Sequence, residues 1–362
     1  MPAAHSRADL RVVHIASGRE WRGGQRQTWL LASELAKLAI PQTVVTRRGS
    51  ELFRRLSRIG VHVHGCGWTL GLDPRALLAI VHEARRAPAV LHAHDPHAFT
   101  LAAAAARTSR RPLVVTRRAA FPLRRAGAWK QADRVIAISE AVRAQLLTDG
   151  VDPARIVVVR SAIDLGAVAG ALPGGFRVSL ALQEGSPLIA TVAALTPEKG
   201  LDTLVAAAAL LAEHTPKIHW AIAGAGPLAA ELNRDAARRG VGDTVHLLGH
   251  LDDPTSLLAE ADCVVMPSRS EAFGSSLLDA MALGKPIVAS GVGGIPEVLG
   301  PTGIVVPPGN PAALAAAVAA MTGDRKAAAR LGAAARERVQ EFGADRMARA
   351  MVAVYRSVAQ ID

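Results

Sequence analysis

Two cysteines, Cys66 and Cys263, are all that this chain of 362 residues carries. A disulfide framework is therefore excluded as the source of its stability, and free thiols suit a reducing compartment. Aromatic residues make up only 3%, and the aromatic interleaving of a nucleic-acid-binding module is missing, so no nucleic acid is expected as a partner. No run reaches the roughly 20 apolar residues of a spanning helix. The stretch from Met1 to Leu10 holds charges but no apolar segment, which argues against a secretory signal. The expectation is a soluble, cytoplasmic protein.

What the chain does have is apolar content, at 50%, arranged as short runs between Ala-rich helical stretches. Arg11–Ala16, Pro112–Thr116, Pro187–Val192 and Pro286–Ser290 are such runs. Continuous apolar runs alternating with helical segments predict parallel strands buried on both faces. The length predicts two domains, and the pattern predicts two doubly wound α/β sheets with ligands beyond the carboxyl ends of the strands. The stretch from Gly166 to Gly185, rich in Gly, Ala and Pro, reads as a linker. The expected division is 1–168, a linker at 169–185, 186–343, and a C-terminal helix at 344–362 crossing back to the first domain.

Charge is uneven. Residues 1–170 carry 26 Lys and Arg against 12 Asp and Glu, a balance of +14, whereas the remainder carries 16 against 19, a balance of −3. The cations cluster at Arg107, Arg110 and Arg111, at Arg117 and Arg118, and at Arg124, Arg125 and Lys130. Such a surface suits anionic lipid head groups or a phosphorylated, lipid-linked glycan.

The most informative segment is Glu271-Ala-Phe-Gly-Ser-Ser-Leu-Leu-Asp279, followed by Gly293-Gly-Ile-Pro-Glu297. Upstream, Ala261–Ser268 reads as a short buried strand, and a helix is expected from Ser276 to about Leu283. Its free N–H groups and positive dipole end form an anion site, with backbone near Gly274, Ser275 and Ser276 aimed at the ligand. An anion between two carboxylates describes a ligand with an anionic middle and hydroxyl-rich ends, as a nucleotide sugar has. A plainer reading makes Ser276 and Asp279 a capping pair.

Near the N-terminus, Arg19-Glu-Trp-Arg-Gly23-Gly24-Gln25-Arg26-Gln27 reads as a glycine loop between the first strand and a helix from Thr28 to Leu38. Paired glycines let backbone approach a phosphate closely. Two other motifs are weaker. Gly224-Ala-Gly226-Pro-Leu-Ala229 partly imitates a dinucleotide fingerprint, but falls in the second βα turn of its domain, and Asp243 precedes a strand instead of ending one. His92-Ala-His94-Asp-Pro-His97 offers alternating histidines on one strand face, although its Asp stands in the wrong place for a metallohydrolase. A strand-end cluster lining a cleft is expected there, with His94 a catalytic candidate, and no metal.

Nearly the whole chain resembles the retaining glycosyltransferases of family 4. Leu195-Thr-Pro-Glu-Lys199-Gly200-Leu-Asp is similar to the family's phosphate-binding lysine loop, and Ala223-Gly-Ala-Gly-Pro227 to the turn after the second donor-domain strand. Leu248-Gly249-His is similar to the next strand end, and Met266-Pro-Ser-Arg-Ser-Glu271-Ala-Phe-Gly274 to the donor loop. Ile138-Ser139-Glu140-Ala-Val and Arg160-Ser-Ala-Ile-Asp164 are similar to the approach to the hinge. The resemblance implies a GT-B fold, two facing Rossmann-like domains with the active site in the cleft between them. The first domain would bind acceptor and the second a nucleotide-diphosphate sugar, a co-substrate in place of any cofactor.

Carried over by position, the resemblance makes Lys199 the cation on the leaving diphosphate. Glu271 would hold sugar hydroxyls and Asp279 the ribose. Gly224, Ala272, Phe273, Gly274, Ser275 and Ser276 would border the donor, and Gly23 and Gly24 would face it. Arg22, His97, Arg117 and Arg118 are candidates for acceptor or phosphate contacts. A retaining, front-face, metal-independent transfer is expected, within cell-envelope polysaccharide or lipopolysaccharide synthesis at the inner face of the plasma membrane. An Asp-x-Asp metal motif is not evident, and Asp252-Asp253 before Pro254 reads as a helix cap. The chain also departs from the family. The second carboxylate is Asp279 where Glu is usual, a frequent arginine falls on Ala194, and a cleft histidine gives way to Arg117 or Arg118. A nucleotide-sugar-binding scaffold with impaired turnover and a GT-B-fold sugar-nucleotide epimerase are the alternative readings.

Overall fold

The apolar runs become parallel strands. In the computed structural model, which describes residues 10–68, 73–123, 129–213 and 217–361, β1 (Val12–Ala16), β4 (Val90–Ala93) and β5 (Leu113–Arg117) are buried at every position. They join β2 (Gln42–Arg47), β3 (His62–Cys66), β6 (Arg134–Ala137) and β7 (Ile156–Val158) in a parallel sheet of order β3-β2-β1-β4-β5-β6-β7. A strand buried on both faces can be apolar throughout, and each buried Val, Leu or Ile side chain contributes about 1.5–3 kcal/mol.

A second sheet follows: β8 (Leu188–Val192), β9 (His219–Ala223), β10 (Val245–Gly249), β11 (Cys263–Met266), β12 (Ile287–Ser290) and β13 (Ile304–Val306). Its order is β10-β9-β8-β11-β12-β13, again parallel. Each sheet reverses its winding once, between β1 and β4 in the first and between β8 and β11 in the second. Ligands of doubly wound folds collect at such switch points.

The chain divides into two units, residues 1–162 with 344–362, and residues 163–343. The C-terminal helix Ala344–Ala359 belongs to the first. Its buried Ala348, Met351 and Tyr355 recur at helical spacing and pack on Val12, Leu35, Val90 and Val114. The stretch 169–185, expected as a linker, differs from that expectation: it lies within the second unit, where Phe176–Ser179 is helical. The N–H groups of Phe176 and Arg177 donate to the Glu260 carboxylate at 2.9 Å each, and the Arg177 guanidinium pairs with Asp262 at 2.5 Å. Ion pairs and caps fasten what composition alone marks as a loop.

The first helix also starts earlier than expected. It runs Gly23–Lys37, so Gly23 and Gly24 form its first turn instead of a loop before it, and no side chain caps it at Arg22.

Candidate active site

In the second unit, the carboxyl ends of β8, β9, β10, β11 and β12 are knitted by backbone contacts. Gly224 N–H donates to Gly249 O at 2.7 Å, and Arg269 N–H to Glu198 O at 2.8 Å. Gly294 N–H donates to Glu271 O at 3.2 Å. Two glycines make this packing feasible. A Cβ on Gly224 (φ +150°) would lie 1.8 Å from Ala193 O, and one on Gly293 (φ +54°) would lie 1.6 Å from Glu271 O. Any side chain at Gly293 would push the Glu271 backbone aside.

The result is one convergence at the β8/β11 switch point. Lys199 ends the short 3₁₀ turn Pro197–Lys199 after β8, and its Nζ donates to Glu271 Oε2 at 2.6 Å. Both side chains are partly shielded, at 23% and 15% exposure. The loop carrying Glu271 is braced by a two-pronged pair from Arg269 to Asp202, with contacts of 2.6 and 2.5 Å. Hydrogen bonding by Arg269 holds the Asp202 carboxyl below its ordinary range. Asp202 and Arg269 were not singled out from sequence. Their only signal was opposite charge on two loops that both resemble donor-binding loops.

Beyond Glu271 the chain enters the helix Ser275–Ala282, whose N-cap is Gly274 and which no side chain caps. The capping pair of Ser276 with Asp279 is therefore not formed. Asp279 lies in the second turn, 3% exposed. Phe273 is buried edge-on against Phe342, 5.8 Å between centroids, so its side chain serves packing. Asp253 accepts from Thr255 N–H at 3.0 Å at the start of the helix Thr255–Glu260. That is a turn-capping role.

In the first unit the histidine motif resolves differently from expectation. His97 is exposed in the first turn of the helix Pro96–Ser109 and stands apart. His92 and His94 are instead joined by His14, which faces His92 across the β1–β4 pairing. All three are buried, at 0%, 1% and 4% exposure, instead of lining an open cleft. His14 Nδ1 and His94 Nε2 are hydrogen-bonded at 2.9 Å. His92 bonds Tyr355 Oη at 2.6 Å through Nδ1 and Thr116 Oγ1 at 2.7 Å through Nε2. Burial pushes His14 down to about pKa 3 and His92 and His94 well below the usual histidine range, so all three are neutral at pH 7.

Among the described residues this trio is the group that could hold a metal ion, with ligand atoms within 4.8 Å of one another. Its fit is poor. Four of its six ring nitrogens already hold hydrogen bonds, leaving His14 Nε2 and His94 Nδ1 without partners.

The two arginines after β5 have opposite fates. Arg117 is buried, donates to Phe121 O at 2.6 Å, and stacks over the rings of Phe121 and Trp129. Arg118 lies under the first turn of the helix Gly23–Lys37; a Cβ on Gly24 would sit 3.6 Å from its Cδ. Its Nε is buried without a partner. Arg22 is exposed and pairs with Glu20 at 2.5 Å. Arg124 and Arg125 lie outside the described residues, as does the N-terminal stretch up to residue 9. Within the described residues no helix is long and apolar enough to cross a membrane.

Two parallel sheets, each with one switch point, one of which pairs a lysine with a carboxylate beside an uncapped helix, define a doubly wound α/β protein. Comparison with known proteins makes the class specific. The model for Glycosyltransferase Family 4 matches residues 21–167, and that for Glycosyl transferases group 1 matches 176–338. Glycogen synthase of Mycobacterium tuberculosis (strain ATCC 25618 / H37Rv) is 32% identical over 291 residues, 74% of this chain and 68% of that protein. D-inositol 3-phosphate glycosyltransferase of Kribbella flavida is 31% identical over 243 residues, 63% of this chain and 57% of that one. The chain spans about half the length of the first such curated relatives it matches. The crystal structure of Anabaena HepE in complex with UDP shares the fold with a TM-score of 0.84 at 21% identity, covering 96% of this chain and 100% of that one. This chain belongs to the family 4, group 1 glycosyltransferases, and its two parallel sheets are those of the GT-B fold.

Proposed function

We propose that this protein transfers a sugar from a nucleotide-diphosphate donor to a glycan or lipid-linked acceptor, with retention and without a metal ion. The observation that carries the reading is the meeting of Lys199 and Glu271 at the β8/β11 switch point, beside the uncapped N-terminus of Ser275–Ala282. Family membership and the UDP and UDP-glucose complexes of HepE support a nucleotide-sugar donor.

In this reading the donor exchanges the partners of the ion pair. Lys199 leaves Glu271 for the diphosphate, and Glu271 accepts hydroxyl hydrogens of the sugar. As the bond from C1 to the phosphate oxygen breaks, negative charge grows on the leaving diphosphate. Lys199 and the N–H groups of Ser275 and Ser276 stabilise it in place. The acceptor oxygen bonds to C1 on the same face, and its proton passes to the departing phosphate, so no enzyme nucleophile is required. Asp279 holds the ribose, and the first unit holds the acceptor, with Arg22 and His97 as exposed contacts. Its +14 charge balance favours work at an anionic membrane in envelope glycan synthesis.

The test is release of nucleoside diphosphate from UDP-, GDP- and ADP-sugars. Lys199→Ala is expected to lower kcat by about 10²–10³-fold, as loss of an anion-stabilising donor does, with unchanged melting. Near-normal kcat in the folded variant defeats the assignment. Binding without turnover selects a scaffold, and interconversion of the free nucleotide sugar selects an epimerase.

A further inference from the structure

Lys199 and Glu271 stand 72 residues apart in the chain, and Arg269 ties together the two segments that carry them. Its backbone N–H and that of Ser270 both donate to Glu198 O, at 2.8 and 3.2 Å. Its guanidinium then reaches back over the lysine turn. One terminal nitrogen donates to Asp202 Oδ1 at 2.6 Å and to Pro197 O at 3.3 Å. The other donates to Asp202 Oδ2 at 2.5 Å and to Thr203 Oγ1 at 3.2 Å. Pro197 O also accepts from Gly200 N–H at 3.2 Å, the bond that closes the turn behind Lys199. A Cβ on Gly200 would lie 2.2 Å from Pro267 O, so only glycine lets the lysine turn lean this closely on the end of β11.

Little fold stability comes from this clamp. Arg269 and Asp202 are 42% and 56% exposed, and an exposed ion pair contributes little. What a two-pronged pair fixes is direction, because the planar guanidinium fork meets a carboxylate in one orientation. All four terminal N–H groups are spent on the protein, so Arg269 acts through its neighbours and not on a substrate. Register matters here for a physical reason. Charge developing on a leaving group is stabilised by a cation already in place, and a displacement of about 1 Å can cost roughly 100-fold in rate. In the proposed reaction the donor draws Lys199 away from Glu271. Their direct link is then lost, and the Arg269 contacts hold the two segments together.

We infer that Arg269 is a positioning residue: anchored on Asp202, it keeps Lys199 and Glu271 in register while the donor separates their side chains. This role rests on the transferase reading for its kinetic consequence, whereas the coupling of the two segments stands on their contacts alone.

Two measurements on the full chain test it: amide hydrogen exchange, and release of nucleoside diphosphate from UDP-, GDP- and ADP-sugars. Both are made on wild type, Arg269→Gln, Arg269→Lys, Asp202→Asn and the variant combining Arg269→Gln with Asp202→Asn. Arg269→Gln is expected to speed exchange by about 10-fold or more in 198–203 and 269–274 together, and to leave β9 unchanged. Its kcat should fall by about 10–100-fold while the donor KM stays within about 3-fold and Tm within about 3 °C. Arg269→Lys should recover part of kcat. The double variant should be within about 2-fold of the slower single one, since both substitutions remove the same contact. Faster exchange in 269–274 alone overturns the proposal, as does wild-type kcat in Arg269→Gln. So do losses that multiply in the double variant. A KM that rises as far as kcat falls overturns it by marking a donor contact, and a large fall in Tm at unchanged kcat by marking a structural pair. A wild-type chain that turns over none of the nucleotide sugars loses the transferase reading. Exchange then decides alone: the coupling is retained if both segments open together and overturned if one does.

Discussion

The neutral histidine trio should make the first unit labile in mild acid, well before carboxylates titrate. His14, His92 and His94 are buried and uncharged, with His14 held down to about 3 and the other two well below 6.5. The unfolded chain returns each to about 6.5. A folded-state pKa depressed below the unfolded value means that unfolding takes up a proton. Stability is then full above pH 6.5 and falls as pH drops from 6.5 toward the folded value. Each histidine contributes a slope of about 1.4 kcal/mol per pH unit. By pH 5 His14 has cost about 2 kcal/mol, and His92 and His94 lower stability in the same direction. Urea unfolding followed by tryptophan fluorescence between pH 7.5 and 5 measures this. In a Trp220→Phe background the remaining reporters, Trp21, Trp29, Trp68 and Trp129, all lie in the first unit. His14→Leu should make the slope shallower. A midpoint that stays flat down to pH 5, or a slope unaltered by His14→Leu, would show that the trio does not stay neutral through burial.

Further outcomes follow from the second unit and from charge. Asp279→Asn should raise the donor KM by about 10–100-fold, the worth of one charge-assisted hydrogen bond; unchanged KM with a lower Tm would exclude the ribose role. Glu271→Gln frees Lys199 from its ion pair, so it should bind nucleoside diphosphate about 5-fold more tightly, from roughly 1 kcal/mol of released pairing, while losing turnover; weaker diphosphate binding would contradict the exchange. Cosedimentation with anionic vesicles should occur at low salt, fade at physiological ionic strength and above, and be reduced by Arg124→Glu with Arg125→Glu. Equal binding to neutral vesicles would remove electrostatics as its cause.

Much of the second unit was legible in the sequence because its signals are local. Apolar runs of four to six residues marked β8, β11 and β12, and the lysine, glycine and donor loops are contiguous motifs whose spacing survives without knowing the fold. What sequence did not show depends on neighbours far apart in the chain. His14 joins His92 only because β1 and β4 are adjacent at the switch point, and Tyr355 reaches them only because the last helix returns to the first sheet. Arg117 and Arg118 look equivalent as a dipeptide. They diverge because Phe121 and Trp129 receive one guanidinium, while the other lies beside Gly24 in the first turn of Gly23–Lys37. Glycine is a poor helix former, so Gly23 and Gly24 read as a loop although the helix begins at Gly23. The linker was misread because Ala, Gly and Pro composition conceals the Arg177–Asp262 and Glu260 anchors.

In the proposed reaction Lys199 at the β8/β11 switch point holds the diphosphate of a nucleotide sugar. Calorimetric titration of wild type and Lys199→Ala with UDP-, GDP- and ADP-sugars tests it most directly. At least one nucleotide sugar should bind wild type, and Lys199→Ala should weaken it by about 10–100-fold, the worth of one charge-assisted contact. Failure of every nucleotide sugar to bind, or equal binding by wild type and variant, would contradict it.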